Sequence, residues 1–389
     1  MKLNSLRADI VLMTTPQLEV LQIKRSKGVK HYCHIIHSLP HVDNYEVFAL
    51  DYFDSIFTNS PIHNDFIRQV EKVRNLPTKQ ITITGCTYLD VLDSKLKKFQ
   101  AQLAKNEILI YENQEIKPIT SFFTNKADSD KYTILISPSW GREAILSKYG
   151  MKVISPLIDS NFNIIIRPHP QTYISESHIL ENLKAQTKDC PNIKWDSNID
   201  NIYAMQEADL MLGDFSGILF DFLCLFSKPI ATMEFNFNIT GYDLEDIYDT
   251  PWVKGALQKI GRSIKDEEIP NLASVLESFL EDKSGILNKN IAEMKELLWH
   301  YQGTSAEVST KELLKIHRNI LESSLGEKYS IYQHLSCLNA ILDSTTMYQT
   351  KDSNISENEM RNNIFSNQLQ NKAQTAYNYS FVSNVGGGQ

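Results

Sequence analysis

Residues Asp209 to Leu223 read DLMLGDFSGILFDFL. The opening apolar run is short and stops at Gly213, as a buried strand would, and an apolar segment of helical length begins around Gly217. Between them lies the turn GDFSG. Small residues at Ser216 and Gly217 let backbone N–H groups point at a bound anion. The helix dipole adds favourable potential there, and the Ser216 hydroxyl is a further donor. A pyrophosphate requires this set of groups. The plainer meaning of the same residues is an N-cap, with Asp214 or Ser216 starting a buried helix.

On either side of this turn, short β-branched runs alternate with longer segments of helical period, which specifies an α/β protein with parallel sheets. In the first part ADIVLMTT, KHYCHIIHS, DSIFTNS and KQITITG read as strands, with helices over Pro61–Asn75 and Tyr88–Lys105. The second part continues with YTILISPS, a helix from Glu143, FNIIIRPHP, a helix near Ser177–Lys188, NIKW, a helix near Asn201–Ala208, and ADLMLGD. After these come the helix Gly217–Phe226, the strand PIATM, and helices near Asp266–Asp282, Asn288–His300 and Thr310–Ser323. The expected domains are 1–118, a linker at 119–131, 132–323, and a tail at 324–389 whose Asn, Gln and Ser content predicts poor order.

A chain of 389 residues accommodates two domains. With 39 Lys and Arg against 47 Asp and Glu, its net charge of −8 disfavours nucleic acid as a partner. The five cysteines, Cys33, Cys86, Cys190, Cys224 and Cys337, form no C-x-x-C pair, which fits a reducing cytoplasm better than a disulfide framework. No signal peptide or spanning helix is expected, because the most apolar stretch, Leu210 to Ile230, is interrupted by Asp214, Asp221 and Lys228. The basic runs Lys24, Arg25, Lys27, Lys30 and Lys95, Lys97, Lys98 read first as solvated faces and second as contacts to anionic lipid at the inner membrane face. Walker A and G-x-G-x-x-G patterns are absent after the expected strands, which removes the main support for P-loop and dinucleotide readings.

Two further segments carry chemistry. In FNIIIRPHP, prolines flank His169 at a strand end, where open sheets bind ligands, and Arg167 stands beside it. A capped strand end with a solvated His is the alternative. HYCHIIHSLPH holds His31, His34, His37 and His41. Period two separates His34 from His31, Cys33 and His37, so the four rings do not converge on a metal. His37, at the strand end, is the candidate general base. The D-x-D pair Asp128 and Asp130 reads as a solvated loop, and the Asn-x-Ser/Thr triplets at Asn238, Asn354 and Asn378 as chance.

The order of these segments resembles the CDP-glycerol glycerophosphotransferase family, the teichoic-acid and capsule polymerases and primases of GT-B arrangement. ADLMLGDFSGILFDFLCLFSKPI is similar to "ADvliTDYSSiffDfallkKPi", with Gly213, Phe215 and Gly217 departing from it. HIIHS resembles the His-Gly strand end, with Ser38 in the glycine's place, and KQITITGCTYLDVL resembles "TGyPrnD" with Asp90 in the acidic position. ILISPSWGRE is similar to "ILyaPTwR", IIIRPHP to the Lys-x-His-Pro segment, and YQGTSAE to "DGkAs" with Gln302 in the place of Asp.

The resemblance implies a GT-B-like fold, two doubly wound domains facing a cleft, here with a reduced N-terminal domain. It implies transfer of a polyol phosphate, glycerol phosphate foremost, from a CDP-activated donor to a hydroxyl of an envelope or capsular polymer, releasing CMP without a cofactor or metal. His37 and His169 are then catalytic, and Arg167, Asp214, Ser216, Gly217, Asp221, Ser38 and Ser139 bind substrate. Two alternatives stay open: a glycosyltransferase using a nucleotide sugar, and a non-catalytic nucleotide- or polymer-binding scaffold.

Overall fold

In the computed structural model of the chain, the apolar runs pair as parallel strands. Residues 5–21, 23–105, 109–111, 114–116, 122–123, 131–235, 239–282 and 284–325 are described. Asp128, Asp130, most of the expected linker, Asn238, Cys337, Asn354, Asn378 and the expected tail beyond residue 325 lie outside them.

The first sheet is built from β1 (Arg7–Met13), β2 (Gly28–Ile35), β3 (Ser55–Thr58) and β4 (Gln80–Ile83), in that spatial order and all parallel. Helix α1 (Ile62–Val73) connects β3 to β4, and α2 (Thr87–Ala104) follows β4. Alternation along β2 and β3 divides their side chains between two faces. Tyr32 and Ile56 pack with Phe66, Ile67 and Val70 of α1, whereas Cys33, Ile35 and Phe57 meet Ile316. Ile316 belongs to α12 (Ser305–Leu325), so a helix from the far end of the sequence covers the face that the crossovers leave open. A short hairpin, β5 (Leu109–Tyr111) and β6 (Gln114–Ile116), follows.

The second sheet contains β7 (Tyr132–Ile136), β8 (Phe162–Ile166), β9 (Ile193–Trp195), β10 (Leu210–Gly213), β11 (Ile230–Met233) and β12 (Gly261–Ile264). Their spatial order is β9-β8-β7-β10-β11-β12 and every pairing is parallel. Strands are thus added outward in both directions from the β7–β10 pair, the doubly wound arrangement.

The helices of this part are α3 (Ile145–Lys148), α4 (Met151–Ile158), α5 (Thr172–Ser175), α6 (Ser177–Thr187), α7 (Ile202–Glu207), α8 (Ile218–Phe226), α9 (Trp252–Ile260), α10 (Leu272–Leu280) and α11 (Ile286–Leu298). Ile134, Ile136, Ile164 and Ile166 face α4, α6 and α10, while Leu135, Ile165 and Met211 face α7, α8, α9 and α11. Burial on both faces explains why these strands read as continuous apolar runs. The second of these cores also takes in Leu89, Leu92 and Phe99 of α2 and Leu39 from the loop after β2, so it joins the two sheets.

Both sheets lie within one compact unit, Met1–Ile320. The α/β class, the parallel sheets and the small first sheet agree with the expected GT-B-like architecture. Three local features differ from expectation. α9 and β12 occupy a stretch that showed no strand signal. The segment after Glu143 forms two short helices rather than one. The last helix begins at Ser305 rather than Thr310.

Candidate active site

Winding reverses between β7 and β10, and the crevice at the carboxyl edge of such a switch point is where doubly wound sheets bind ligands. The buried carboxylate of Asp214 ties the loops together. It accepts the Ser139 amide at 3.0 and 3.1 Å, the Ile145 amide at 3.3 Å and the Ser216 amide at 3.2 Å. Burial pushes its pKa up, and the N–H groups from Ser139 and Ile145 pull against that shift. Asp214 is therefore spent on holding the turn. What it leaves at the surface is the half-buried Ser216 and the amino end of α8. Gly213 permits the tight strand-to-helix return, since a Cβ there would stand 2.8 Å from Leu219 Cδ2.

The loop after β2 packs on this turn. A Cβ on Gly217 would lie 3.3 Å from Pro40 Cγ, and Leu39 is buried in the same core as Leu219 and Phe220. The Ser38 carbonyl accepts the buried Asn59 side-chain amide. These anchors fix the segment that carries His37 and Ser38, two and three residues beyond the end of β2. His37 is exposed, and its ring makes no hydrogen bond among the described residues, so a ligand in the crevice could engage it. The expected proximity of the His37 segment to the Ser216–Gly217 turn rests on this Gly217–Pro40 contact.

His169 leaves β8 beside the β7 loop, its ring centroid 6.4 Å from that of Trp140. The Gln171 amide donates to Nδ1 at 3.1 Å, so in the neutral ring the proton resides on Nε2. Partial burial lowers its pKa and favours that neutral donor form. Arg167 is differently placed. Its guanidinium pairs with the buried Asp196 and donates to the Asn198 carbonyl at 2.9 Å and the Ile199 carbonyl at 3.3 Å. It organises the loop after β9, and its charge is already neutralised there.

Trp140 was not singled out by sequence reasoning. It is 50 % exposed on a loop whose Gly141 has φ +97° and whose backbone is pinned by Glu176, which accepts the Gly141 amide at 3.0 Å. The usable signal was a large aromatic immediately beyond a wholly buried strand, where packing gives it no place.

Asp221, in the first turn of α8, is only 9 % exposed, and burial pushes its pKa up to about 7. Its charge is felt by Cys86, Tyr88 and Cys224. The remaining histidines of the cluster separate as period two requires. His31 bonds Ser55 Oγ at 2.8 Å, and His34 is buried edge-on to Phe53. His41 donates to the Ile62 carbonyl at 2.7 Å and stacks on His63 and Trp252.

No group of three or more potential metal-ligating side chains occurs among the described residues. Several of the basic residues are engaged: Lys30 with Asp9, Arg25 with Asp54, Lys95 with Asp200 and Lys97 with Asp93. No described helix is long and apolar enough to cross a membrane.

Comparison with solved structures finds the wall teichoic acid polymerase TagF at 14% identity and TM-score 0.44, covering 78% of this chain and 71% of that one. It also finds UDP-GlcNAc 2-epimerases. The Methanocaldococcus jannaschii enzyme, in complex with UDP-GlcNAc and UDP, is 14% identical with TM-score 0.49, covering 79% and 76%. The Neisseria meningitidis enzyme, bound to UDP-GlcNAc, is 13% identical with TM-score 0.47, covering 73% and 70%. No curated protein matches the chain significantly in sequence. The family described as CDP-Glycerol:Poly(glycerophosphate) glycerophosphotransferase matches residues 62–248, a span that includes the Asp214 turn, His169 and Trp140. Over residues 62–248, just under half of its length, the chain is similar to that family.

Proposed function

We propose that the chain transfers glycerol phosphate from CDP-glycerol to a hydroxyl of a cell-envelope or capsular polymer and releases CMP. The carrying observation is the packing of Pro40 against Gly217, which sets the His37–Ser38 segment beside the amino end of α8. A diphosphate seated on that helix end takes hydrogen bonds from the backbone and from Ser216. His169 Nε2–H is a further donor on the far side of the crevice. Trp140 offers a flat apolar wall for the nucleoside.

His37 removes the proton from the acceptor hydroxyl as its oxygen attacks the phosphorus that bears glycerol. A P–O bond forms to the acceptor, and the bond from that phosphorus to the bridging oxygen breaks. The bridging oxygen leaves with CMP, and the charge it gains is met by donors already in place. Asp214, Ser139 and Arg167 support this set by fixing the loops. Asp221 lies below the turn, in the first turn of α8.

The test is CMP release from CDP-glycerol with and without polymer acceptor. His37→Ala and His169→Ala are each expected to lose about 10² or more in rate, the usual contribution of a positioned proton-transfer or charge-stabilising group. Full rate in both variants would refute the assignment. Turnover only with a nucleotide sugar would favour a glycosyltransferase, and nucleotide binding without CMP release would favour a scaffold.

A further inference from the structure

An open cavity of about 720 Å³, within the usual size of a small-ligand site, lies where α11 turns towards α12. Ser227, Asn288, Lys295, Glu296, His300 and Tyr301 are among the residues that line it. Ser227 caps the carboxyl end of α8, so the cavity sits one helix length, about 13 Å at 1.5 Å per residue, from the anion-binding turn at the other end. It is a separate site from the crevice.

Its chemistry is specific. Lys295 Nζ donates to Ser227 Oγ at 3.1 Å and lies 5.6 Å from the centroid of the Trp299 ring, with no carboxylate paired to it among the described residues. An uncommitted cation with the Ser227 hydroxyl beside it suits a phosphate. Glu296, Asn288 and Gln302 offer acceptors and donors for hydroxyls, and the half-exposed Tyr301 gives the carbon chain a face to lie on. The wall is also rigid: Trp299 Nε1 donates to Asp90 at 3.0 Å, and the Ser305 amide reaches the same carboxylate at 3.0 Å.

We propose that this cavity binds a polyol-phosphate unit of the acceptor polymer at a distance from the reacting end. The identity of the ligand as acceptor rests on the proposed transferase reaction; the anion-and-hydroxyl chemistry of the cavity does not. Holding an internal unit here raises the local concentration of the reacting end at the crevice, so longer acceptors gain affinity that a single unit cannot.

The experiment uses the full chain and a synthetic oligo(glycerol phosphate), with glycerol 3-phosphate as the one-unit control. Oligomer binding is measured by calorimetry without donor, and CDP-glycerol binding is measured separately. Lys295→Met keeps the stem over Trp299 and removes the charge. It is expected to weaken oligomer binding about tenfold or more, the loss of one charge-assisted hydrogen bond, with Lys295→Arg restoring most of it. Binding of CDP-glycerol should not move, whereas the one-unit control, which occupies the same cavity, should weaken together with the oligomer.

Equal oligomer affinity in wild type and Lys295→Met, a parallel loss of CDP-glycerol affinity, or no oligomer binding by wild type would each overturn the inference. If oligomer binding depends on Lys295 but CDP-glycerol yields no CMP, the cavity's ligand class stands and the transferase reading fails.

Discussion

Asp221→Asn keeps the shape of a buried side chain and removes its ionisation. The wild-type carboxyl is 9 % exposed, has no hydrogen bond or ion pair among the described residues, and is held at a pKa of about 7 by burial. The unfolded chain releases that proton near 3.8. Between these values the native state binds one proton more than the unfolded state, so wild-type stability falls as pH rises from about 4 to about 7. The gap, at about 1.4 kcal/mol per unit, is on the order of 4 kcal/mol. The α8 dipole favours a carboxylate in the first turn by only about 0.3–1 kcal/mol, so burial wins. Asn has no such penalty. For a cooperative unit of 320 residues, an unfolding entropy of about 2.1 cal/mol/K per residue turns this into a Tm gain of about 6 °C. Asp221→Asn should therefore melt with wild type near pH 4 and above it at pH 8, read by calorimetry at both values. A pH-independent offset, or a loss at pH 8, would refute the reasoning.

Arg74 joins the first sheet to the segment before α9, pairing with Asp51 at 2.9 Å, Asp243 at 2.8 Å and Asp246 at 2.7 Å. Arg74→Met leaves two buried carboxylates without their cation and should cost about 3–5 kcal/mol at pH 8 in a denaturant titration. The cost should be smaller at pH 5, because burial already pushes Asp243 up to about 6, so its carboxyl takes a proton there, and burial raises Asp51 in the same direction. Arg167→Ala strips the partner from the buried Asp196 and should lower stability by about 3 kcal/mol, whereas His169→Ala should leave the melting curve nearly unmoved. A stable Arg167→Ala with abolished CMP release would instead make Arg167 a direct ligand of the substrate.

The elements legible in the sequence were those buried on both faces. Ile134–Ile136, Ile164–Ile166 and Leu210–Leu212 are apolar because helices cover both sides of the sheet, and that alone fixes them as strands. β12 escaped notice for the converse reason. It is an edge strand paired only with β11, and its residues GRSI are mostly half-exposed, so neither alternation nor a continuous apolar run marks it. At the site, the strand-to-helix turn was readable from Ser216 and Gly217, because small residues at such a turn have a local meaning. The duties of Arg167 and Asp214 were not. Asp196 and Ser139 lie 29 and 75 residues away, and nothing local to either residue says that its charge is already engaged.

In the proposed reaction, the approach of His37 to a diphosphate at the Ser216 turn depends on what holds the two sheets together. Polar links do part of this: the Arg74 cluster, the Trp252 amide donated to Asp43 at 2.7 Å, and the bridge between Glu46 and Tyr242. Such links are individually modest, and their strength varies with pH and salt. The apolar layer has a different character. Leu39, Leu89, Leu92 and Phe99 from the first part share one core with Leu219, Phe220, Phe222 and Leu223 of α8. Each fully buried side chain of this kind contributes about 1.5–3 kcal/mol. Separating the sheets along this layer would expose several at once, a cost comparable to the whole stability of a typical domain. Leu39 is two residues from His37, and Leu219 is three from Ser216. The core that keeps the protein folded therefore also anchors both the segment that carries His37 and the turn that carries Ser216.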